Sequence, residues 1–159
     1  MILDSGSRSD FGTGAVRDIQ VGKGKPSYMP LEVVANMFDV PDGDKVLRAI
    51  ADFRNTKQTR FLYDALMHFA RVAYAGSKET MLLEVAIHYE EGCAKYGPDN
   101  WRHGIPWDAY IDSAVRHYLK WLRGDQDEPH DRAVVWNLLS CIWEEDFHEK
   151  NTDAVHSAV

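Results

Sequence analysis

Cysteine is scarce in this sequence, basic residues are outnumbered by acidic ones, and long apolar runs are missing. The two cysteines, Cys93 and Cys141, form no CxxC pair and lie in segments of helical pattern, so we expect free thiols and a cytoplasmic location. No run approaches the roughly 18 apolar residues of a membrane span, and the first residues lack a secretory signal's apolar core. We therefore expect no membrane contact. The 18 Lys and Arg residues are exceeded by 25 Asp and Glu, and the net charge of −7 argues against nucleic acid as a partner.

What remains is the composition of one folded domain. Of 159 residues, 45% are hydrophobic and 11% are aromatic, which suffices for a core of ordinary size and argues against disorder. The length is too short for two substantial domains. The surplus carboxylates can hold divalent cations and, through them, a polyphosphate.

Residues 1–30 differ from the rest of the chain in composition. Five of the 11 glycines and two of the 6 prolines lie there, which is typical of an irregular arm. Two interpretations stay open for this arm. It is either a disordered tail, or a loop whose backbone N–H groups and basic side chains, such as Arg17 and Lys23, contact phosphate or a neighbouring subunit.

From residue 31 onward, apolar residues recur at helical spacing. Asp44 and Ser77 are suited to cap helices, and Gly76, Gly97 and Gly124 to end them. The predicted helices are 31–38, 44–53, 58–75, 78–96, 108–124 and 129–150. Because long alternating strand patterns are missing, the predicted fold is all-α, an antiparallel helix bundle with an irregular glycine-rich N-terminal arm. We expect a frayed tail after residue 151.

The predicted helix 78–96 carries a carboxylate where an apolar residue is expected. This carboxylate is Glu90, which falls within a broad apolar face. The apolar members of that face are Leu83, Ala86, Ile87, Cys93 and Ala94. A buried carboxylate is costly, so Glu90 is interpreted either as half of a buried ion pair with an arginine or as a metal ligand. A separate polar stripe consists of Glu84, His88, Glu91 and Lys95. That stripe is interpreted as a solvated face with ion pairs along the helix.

The last two helices offer further polar groups. His117 lies at the boundary of the helix 108–124, where a histidine is structural or catalytic. Along one side of the last helix run small or polar residues that form either a ligand-binding seam or plain surface: His130, Ala133, Asn137, Ser140 and Glu144. Four carboxylates crowd the start of that helix: Asp125, Asp127, Glu128 and Asp131. They are solvated loop charges or a Mg²⁺ or Mn²⁺ site.

Six short segments occur in an order that resembles a known family. They are TGAVRD at 13–18, GKGKP at 22–26, EEGCAKYG at 90–97, NWRHG at 100–104, SAVRH at 113–117 and HDRAVVWN at 130–137. Together they resemble the phage and bacterial dATP/dGTP diphosphohydrolase domain, a MazG-like all-α nucleotide pyrophosphohydrolase. The resemblance covers about 10–30 and 81–145. It divides the chain into an arm 1–30, a helical insertion 31–80, a helical catalytic core 81–150 and a tail 151–159.

The resemblance implies Mg²⁺- or Mn²⁺-dependent hydrolysis of a deoxypurine triphosphate, dGTP or dATP, to the monophosphate and pyrophosphate by a homo-oligomer. The metal ligands it suggests are Glu90, Glu91, Asp127 and His130. The catalytic residues it suggests are Glu90, Glu91, Lys95 and His117. The substrate-binding residues it suggests are Arg17, Lys23, Tyr96, Asn100, Trp101, Arg116 and Asn137. The chain departs from the acidic MazG pattern, because His130 and Asn137 stand where a second acidic pair is expected.

Two other functions are weighed against this one. His130-Asp131 is literally an HD pair, but Asp146, the aspartate that would complete an HD-type phosphohydrolase site, lies 15 residues further on the same predicted helix. That spacing corresponds to about 22 Å, which one metal cannot bridge. The other alternative is a non-catalytic helical binding or assembly protein whose five tryptophans form an interface.

Overall fold

The computed structural model describes residues 6–38, 41 and 43–148. Its helices are α1 (Leu31–Ala35), α2 (Lys45–Thr56), α3 (Arg60–Ala73), α4 (Lys78–Tyr96), α5 (Trp107–Arg123) and α6 (His130–Trp143). Short 3₁₀ turns span Pro26–Tyr28 and Asn100–His103, and a π-helical turn, Glu144–His148, continues α6. The prediction of an all-α helix bundle is confirmed. Among the described residues, no helix is both long enough and apolar enough to cross a membrane.

The helix boundaries follow from local capping. The Asp44 carboxylate accepts a hydrogen bond from the Leu47 N–H at 2.9 Å, and the Ser77 hydroxyl accepts one from the Thr80 N–H at 3.1 Å. Gly124, at φ 90°, ends α5 in the left-handed conformation. The predicted end of the last helix near residue 150 and the tail 151–159 lie outside the described residues.

The N-terminal arm contains an antiparallel hairpin that the sequence did not predict. Strand β1 (Arg8–Asp10) pairs with β2 (Val16–Asp18), with Ser9 opposite Arg17. Asn100 holds β2 through two hydrogen bonds to one residue. Its side-chain oxygen accepts from the Val16 N–H, and its side-chain nitrogen donates to the Val16 carbonyl. From residue 6 onward the arm therefore packs on the helices, and the disordered-tail interpretation is wrong for this part.

Two further contacts fix the end of the arm. The buried Asp112 carboxylate of α5 accepts a hydrogen bond from the Ser27 N–H at 2.7 Å. Arg54 of α2 donates to the Ser27 carbonyl. The arm thus runs from α4 across α5 to α2, and this path places its basic residues over the helix bundle.

One hydrophobic core joins all six α-helices. The largest enclosed side chains come from α2, α3 and α5, with Phe53, Phe69 and Tyr110 fully buried. All five tryptophans are half-buried. Four of them pack against this core, Trp101, Trp107, Trp121 and Trp136, and Trp143 lies against the Trp101 ring. All five tryptophans therefore have contacts within the chain, and they do not by themselves indicate an interface.

Helix α4 is turned opposite to its predicted orientation. Leu83 is 73% exposed and Ile87 is 43% exposed, while Val85 and His88 are buried. Glu90 is exposed with the apolar face to which it belongs. The expectation that Glu90 points into the protein is wrong, and so is the interpretation of the polar stripe as a solvated face. Helix α4 packs against α6 through the face that contains His88, because the polar partners of the stripe Glu84, His88, Glu91 and Lys95 lie on that side.

Candidate active site

A cavity of about 690 Å³ lies between the arm, α4 and the α5–α6 pair. The arm contributes Arg17, Asp18, Gln20 and Lys23 to its walls. Helix α4 contributes His88, Tyr89, Gly92, Cys93 and Tyr96, and the segment after it contributes Gly97, Asp99, Asn100 and Trp101. The α5–α6 side contributes Ser113, Arg116, His117, Lys120, Asp127, Glu128, Pro129, Ala133, Trp136 and Asn137. This volume is within the usual range for small-molecule sites.

Arg17 lies in this cavity without a carboxylate partner. Its guanidinium donates to the Ser113 hydroxyl at 3.2 Å and lies over the Trp136 ring, 5.3 Å from the centroid. Neither partner carries charge, and no ion pair to Arg17 is found within the described part of the chain. Burial lowers the pKa of Arg17 from its ordinary value. A desolvated cation held by neutral groups is suited to receive an anion.

Three more cations line the same cavity: Lys23, Arg116 and Lys120. Burial lowers the pKa of Arg116, and repulsion from Arg17 lowers it further. Burial also lowers the pKa of Lys23, with added repulsion from Arg116 and Arg17. Arg116 is positioned by the arm, because it donates to the Gly24 carbonyl and to the Gln20 side chain. The mutual repulsion of these groups would be relieved by a ligand with several negative charges.

A chain of hydrogen bonds links Asp127, His130 and His117 at one end of the cavity. The His130 Nε2 atom lies 2.7 Å from an Asp127 oxygen, and the Nδ1 atoms of His130 and His117 are 2.8 Å apart. With both imidazoles neutral, His130 donates from Nε2 to the carboxylate and accepts at Nδ1 from His117. Burial, followed by repulsion from His130 and Arg17, lowers the pKa of His117 to about 2. His117 is therefore neutral near pH 7.

The same residues fit a divalent metal ion. Donor atoms of His117, Glu128 and His130 lie within 4.8 Å of one another, and so do those of Asp125, Asp127 and His130. In the first set, the Asp127–His130 hydrogen bond provides the carboxylate contact that commonly orients a metal-bound histidine. Imidazole and carboxylate together suit Mn²⁺ better than Mg²⁺, which prefers oxygen donors.

Aromatic rings form another wall of the cavity, and one of them, Trp136, has Arg17 over its face. Tyr89 lies 5.7 Å from Trp101 and 5.7 Å from Trp136 between ring centroids, and His88 lies 6.1 Å from Trp136. Two enclosed polar atoms in this wall, His88 Nδ1 and Asn137 Oδ1, have no hydrogen-bond partner among the described residues. Burial, with repulsion from Arg132, lowers the pKa of His88 to about 4, so this ring is neutral as well.

All seven predicted substrate-binding residues line the cavity, although they lie on five different segments. Two of them hold the arm. Tyr96 donates from its hydroxyl to the Asp18 carboxylate at 3.1 Å, and Asn100 holds Val16. Arg17, Lys23 and Arg116 supply charge, and Trp101 and Asn137 belong to the aromatic wall.

The predicted catalytic and metal residues divide into two groups. His117, Asp127 and His130 come together at the end of the cavity. Glu90 is exposed and does not line the cavity. Glu91 lies 3.9 Å from Arg132, so an ion pair with an arginine, partly exposed rather than buried, is found at the neighbour of Glu90. Lys95 lies 3.1 Å from Asp18 and holds the arm.

Several residues of the site were missed. Ser113, Trp136, His88 and Lys120 line the cavity but were not predicted to bind anything. Ser113 and Trp136 lie inside two of the segments that carry the resemblance, but the resemblance assigned no binding role to either residue. His88 was assigned to a solvated stripe because the orientation of α4 was wrong.

Comparison with known families adds an independent observation. A model of the family dATP/dGTP diphosphohydrolase, N-terminal, matches residues 54–154, well over half of the chain. The chain belongs to this family. Neither a curated protein nor a solved structure matches the chain. The match to the diphosphohydrolase family includes 54–80, which the resemblance left unplaced, and excludes the arm with Arg17 and Lys23. The division into arm, insertion and catalytic core stays a prediction.

Membership in a nucleotide hydrolase family agrees with the cationic and aromatic walls of the cavity. The HD-type alternative finds no support in the geometry. Asp146 accepts hydrogen bonds from the Thr59 hydroxyl at 2.9 and 3.0 Å, in the loop between α2 and α3. Asp146 therefore contacts the α2–α3 loop and not the His130–Asp131 pair.

Proposed function

We propose that this protein hydrolyses a deoxypurine triphosphate, dGTP or dATP, to the monophosphate and pyrophosphate in the 690 Å³ cavity. The observation that carries the proposal is Arg17, a cation held among neutral groups with three further cations on the same walls. A triphosphate supplies several negative charges in one short chain. The name of the family supports the same substrate class.

The triphosphate lies along Arg17, Lys23, Arg116 and Lys120. Arginines at such a site hold phosphate oxygens by two parallel N–H donors and remain charged at every working pH. As water adds to phosphorus at the α–β bridge, the bond to the bridging oxygen breaks and negative charge collects on the leaving group. Fixed cations in a cavity of this kind stabilise that charge more than they stabilise the bound substrate.

A divalent metal ion, Mn²⁺ or Mg²⁺, would be held by His117, Glu128 and His130, with Asp127 orienting His130. When bound, such an ion neutralises phosphate charge and acidifies water. The protein's own part is to keep the His117 imidazole neutral, because only a neutral imidazole has a lone pair to offer. The low pKa of His117, about 2, serves that purpose.

The base lies against the aromatic wall of Tyr89, Trp101 and Trp136. Stacking on such rings is favourable for any base, and a purine offers the larger surface. The polar atoms of His88 and Asn137 that have no protein partner then meet donors or acceptors on the base edge.

The direct test is release of pyrophosphate from dGTP, dATP, dCTP and TTP with Mn²⁺, with Mg²⁺ and with a chelator. We expect the two purine substrates to be preferred, Mn²⁺ to support faster turnover than Mg²⁺, and chelation to stop the reaction. His117→Ala serves as the metal-site variant. Unchanged turnover in that variant, or activity in the chelator, would refute the metal assignment.

We further propose a homo-oligomer. The exposed apolar side chains on α4, Leu82, Leu83 and Ile87, form a face that a second copy can cover. Light scattering at micromolar concentration should give a mass above that of one chain, and Leu83→Glu should lower it. A wild-type protein that scatters as a single chain would disprove this part.

A further inference from the structure

Gly92 is the one glycine of this protein that has no conformational reason to be glycine. Ten of the 11 glycines adopt a positive φ, a conformation that other residues rarely take, and Gly92 does not. It lies inside α4, four residues before the helix ends at Tyr96. A glycine at a helical position weakens the helix relative to alanine.

Packing within the chain does not explain Gly92 either. A Cβ atom added there would meet no atom within 4 Å among the described residues outside its own helical turn, so no described neighbour requires the missing methyl group. Yet Gly92 lines the cavity. The space that its side chain would fill is therefore part of the space that a ligand can use.

The surroundings of Gly92 on α4 are aromatic. Residues three and four positions away along a helix lie on the same side. At Gly92 these are Lys95, which is paired with Asp18, and three rings that line the cavity, His88, Tyr89 and Tyr96. The Trp136 ring faces His88 and Tyr89 from α6. Such a surrounding suits a flat, uncharged group, whereas the triphosphate belongs with the cations.

A second observation also points to a ligand here. The Asn137 side chain is 1% exposed, and its Oδ1 atom has no hydrogen-bond partner among the described residues. The His88 Nδ1 atom, in a side chain only 9% exposed, is in the same situation. Buried polar atoms without partners are costly, and a ligand with its own donors and acceptors removes that cost.

We propose that the nucleobase packs against α4 at Gly92. Because Gly92 has no side chain, the base has room to lie there beside His88 and Asn137. This inference rests on the proposed function and adds a specificity-determining residue to it. Asn137 Oδ1 is an acceptor, so the base edge it meets carries an N–H group, as both adenine and guanine do.

The test separates base binding from phosphate binding. Calorimetric titration of the full-length protein uses two probes: α,β-methylene-dGTP, whose cleavable bridge is replaced, and inorganic tripolyphosphate, which has no base. We expect Gly92→Ala to weaken binding of the dGTP analogue by about tenfold or more, since one extra methyl group in a close contact forces displacement. Tripolyphosphate affinity should stay within about twofold. Gly92→Val should weaken analogue binding further.

Stability provides an independent control. Gly92→Ala should raise the melting temperature by about 2 °C, because alanine is the better helix former. Ala94→Val, on the exposed side of α4, adds bulk outside the cavity and should leave both affinities within about twofold. If Gly92→Ala binds the analogue more weakly and also melts at a higher temperature, the loss of affinity cannot come from damage to the fold.

Other outcomes overturn the inference. Equal analogue binding by Gly92→Ala and wild type, equal loss of both probes, or a changed oligomeric mass with unchanged binding would each show that Gly92 serves another purpose. Wild-type protein that binds tripolyphosphate but not the analogue would also contradict it while leaving phosphate binding intact. Wild-type protein that binds neither probe would refute the proposed function itself.

Discussion

Arg17 is a partly buried cation in the wall of the cavity. Its contacts include the Ser113 hydroxyl, the Ala109 carbonyl and the faces of Trp136 and Tyr110, none of which is an anion. A cation removed from water without a counter-ion is unfavourable, and the lowered pKa of Arg17 expresses the same penalty. Structure alone would be better served by an apolar residue.

We expect Arg17→Met to lower turnover of dGTP by at least about 100-fold, the scale on which loss of one strong electrostatic contact is felt. The melting temperature should stay unchanged or rise, because the desolvated charge is gone. Arg71→Met, an exposed position on α3, is the matched control and should change neither quantity. A variant that melts several degrees lower and turns over normally would make Arg17 a structural residue.

Glu90 and Asp127 provide a second comparison between single residues. Glu90 is exposed, so Glu90→Gln should keep turnover within about twofold and leave the melting temperature unchanged. Asp127→Asn weakens the hydrogen bond that orients His130, and turnover should fall by about 10- to 100-fold. Steady-state kinetics with Mn²⁺ measures both variants. The reverse order of effects would place the metal on α4.

At this scale the sequence predicted the types of residue better than their places. Arg17, Arg116 and Trp101 could be named because short segments containing them resemble those of a family. The orientation of Glu90 could not, because helical periodicity alone does not say which face of α4 meets its neighbours. An apolar face left exposed reverses the usual expectation that such a face is buried.

Among the structural elements, the arm and α4 depend on one another through Asp18. Its carboxylate lies 3.1 Å from Lys95 and 3.1 Å from Arg8, and it accepts from the Tyr96 hydroxyl. Residues Arg17 and Gln20 next to it line the cavity. The helices were predictable from capping and periodicity, whereas the hairpin was not, because three-residue strands carry too little pattern and are held by distant partners such as Asn100.

We expect Asp18→Asn to destabilise the protein by about 3 kcal/mol, because it removes the carboxylate from the nearly enclosed Lys95 ammonium. Affinity for dGTP should fall as well, since the arm then holds Arg17 less firmly. The double variant Asp18→Asn/Lys95→Met should recover part of the stability. Urea unfolding measures both. Additive losses in the double variant would mean that the ion pair does not stabilise the arm.

For the whole molecule, the two cavity histidines predict how stability depends on pH. The pKa of His88 is lowered to about 4 and that of His117 to about 2, whereas unfolded histidine has a pKa of about 6.5. Between pH 7.5 and 5 the unfolded chain therefore takes up protons that the folded chain does not. The free energy of unfolding should fall with falling pH, by at most about 1.4 kcal/mol per pH unit for each histidine.

Urea unfolding in a chelator at pH 7.5, 6.5 and 5.5 measures this slope. His88→Gln removes one of the two groups and should make the decline shallower. Stability that stays level over this range, or increases toward low pH, would show that the histidines are not held neutral.

The central claim is that this cavity cleaves a deoxypurine triphosphate between its α- and β-phosphates. The most direct measurement is to incubate the protein with dGTP and Mn²⁺, stop with excess chelator and separate the products by anion-exchange chromatography. The proposed function predicts dGMP and pyrophosphate in equal amounts. Deoxyguanosine with tripolyphosphate, dGDP with orthophosphate, or intact dGTP would contradict the account.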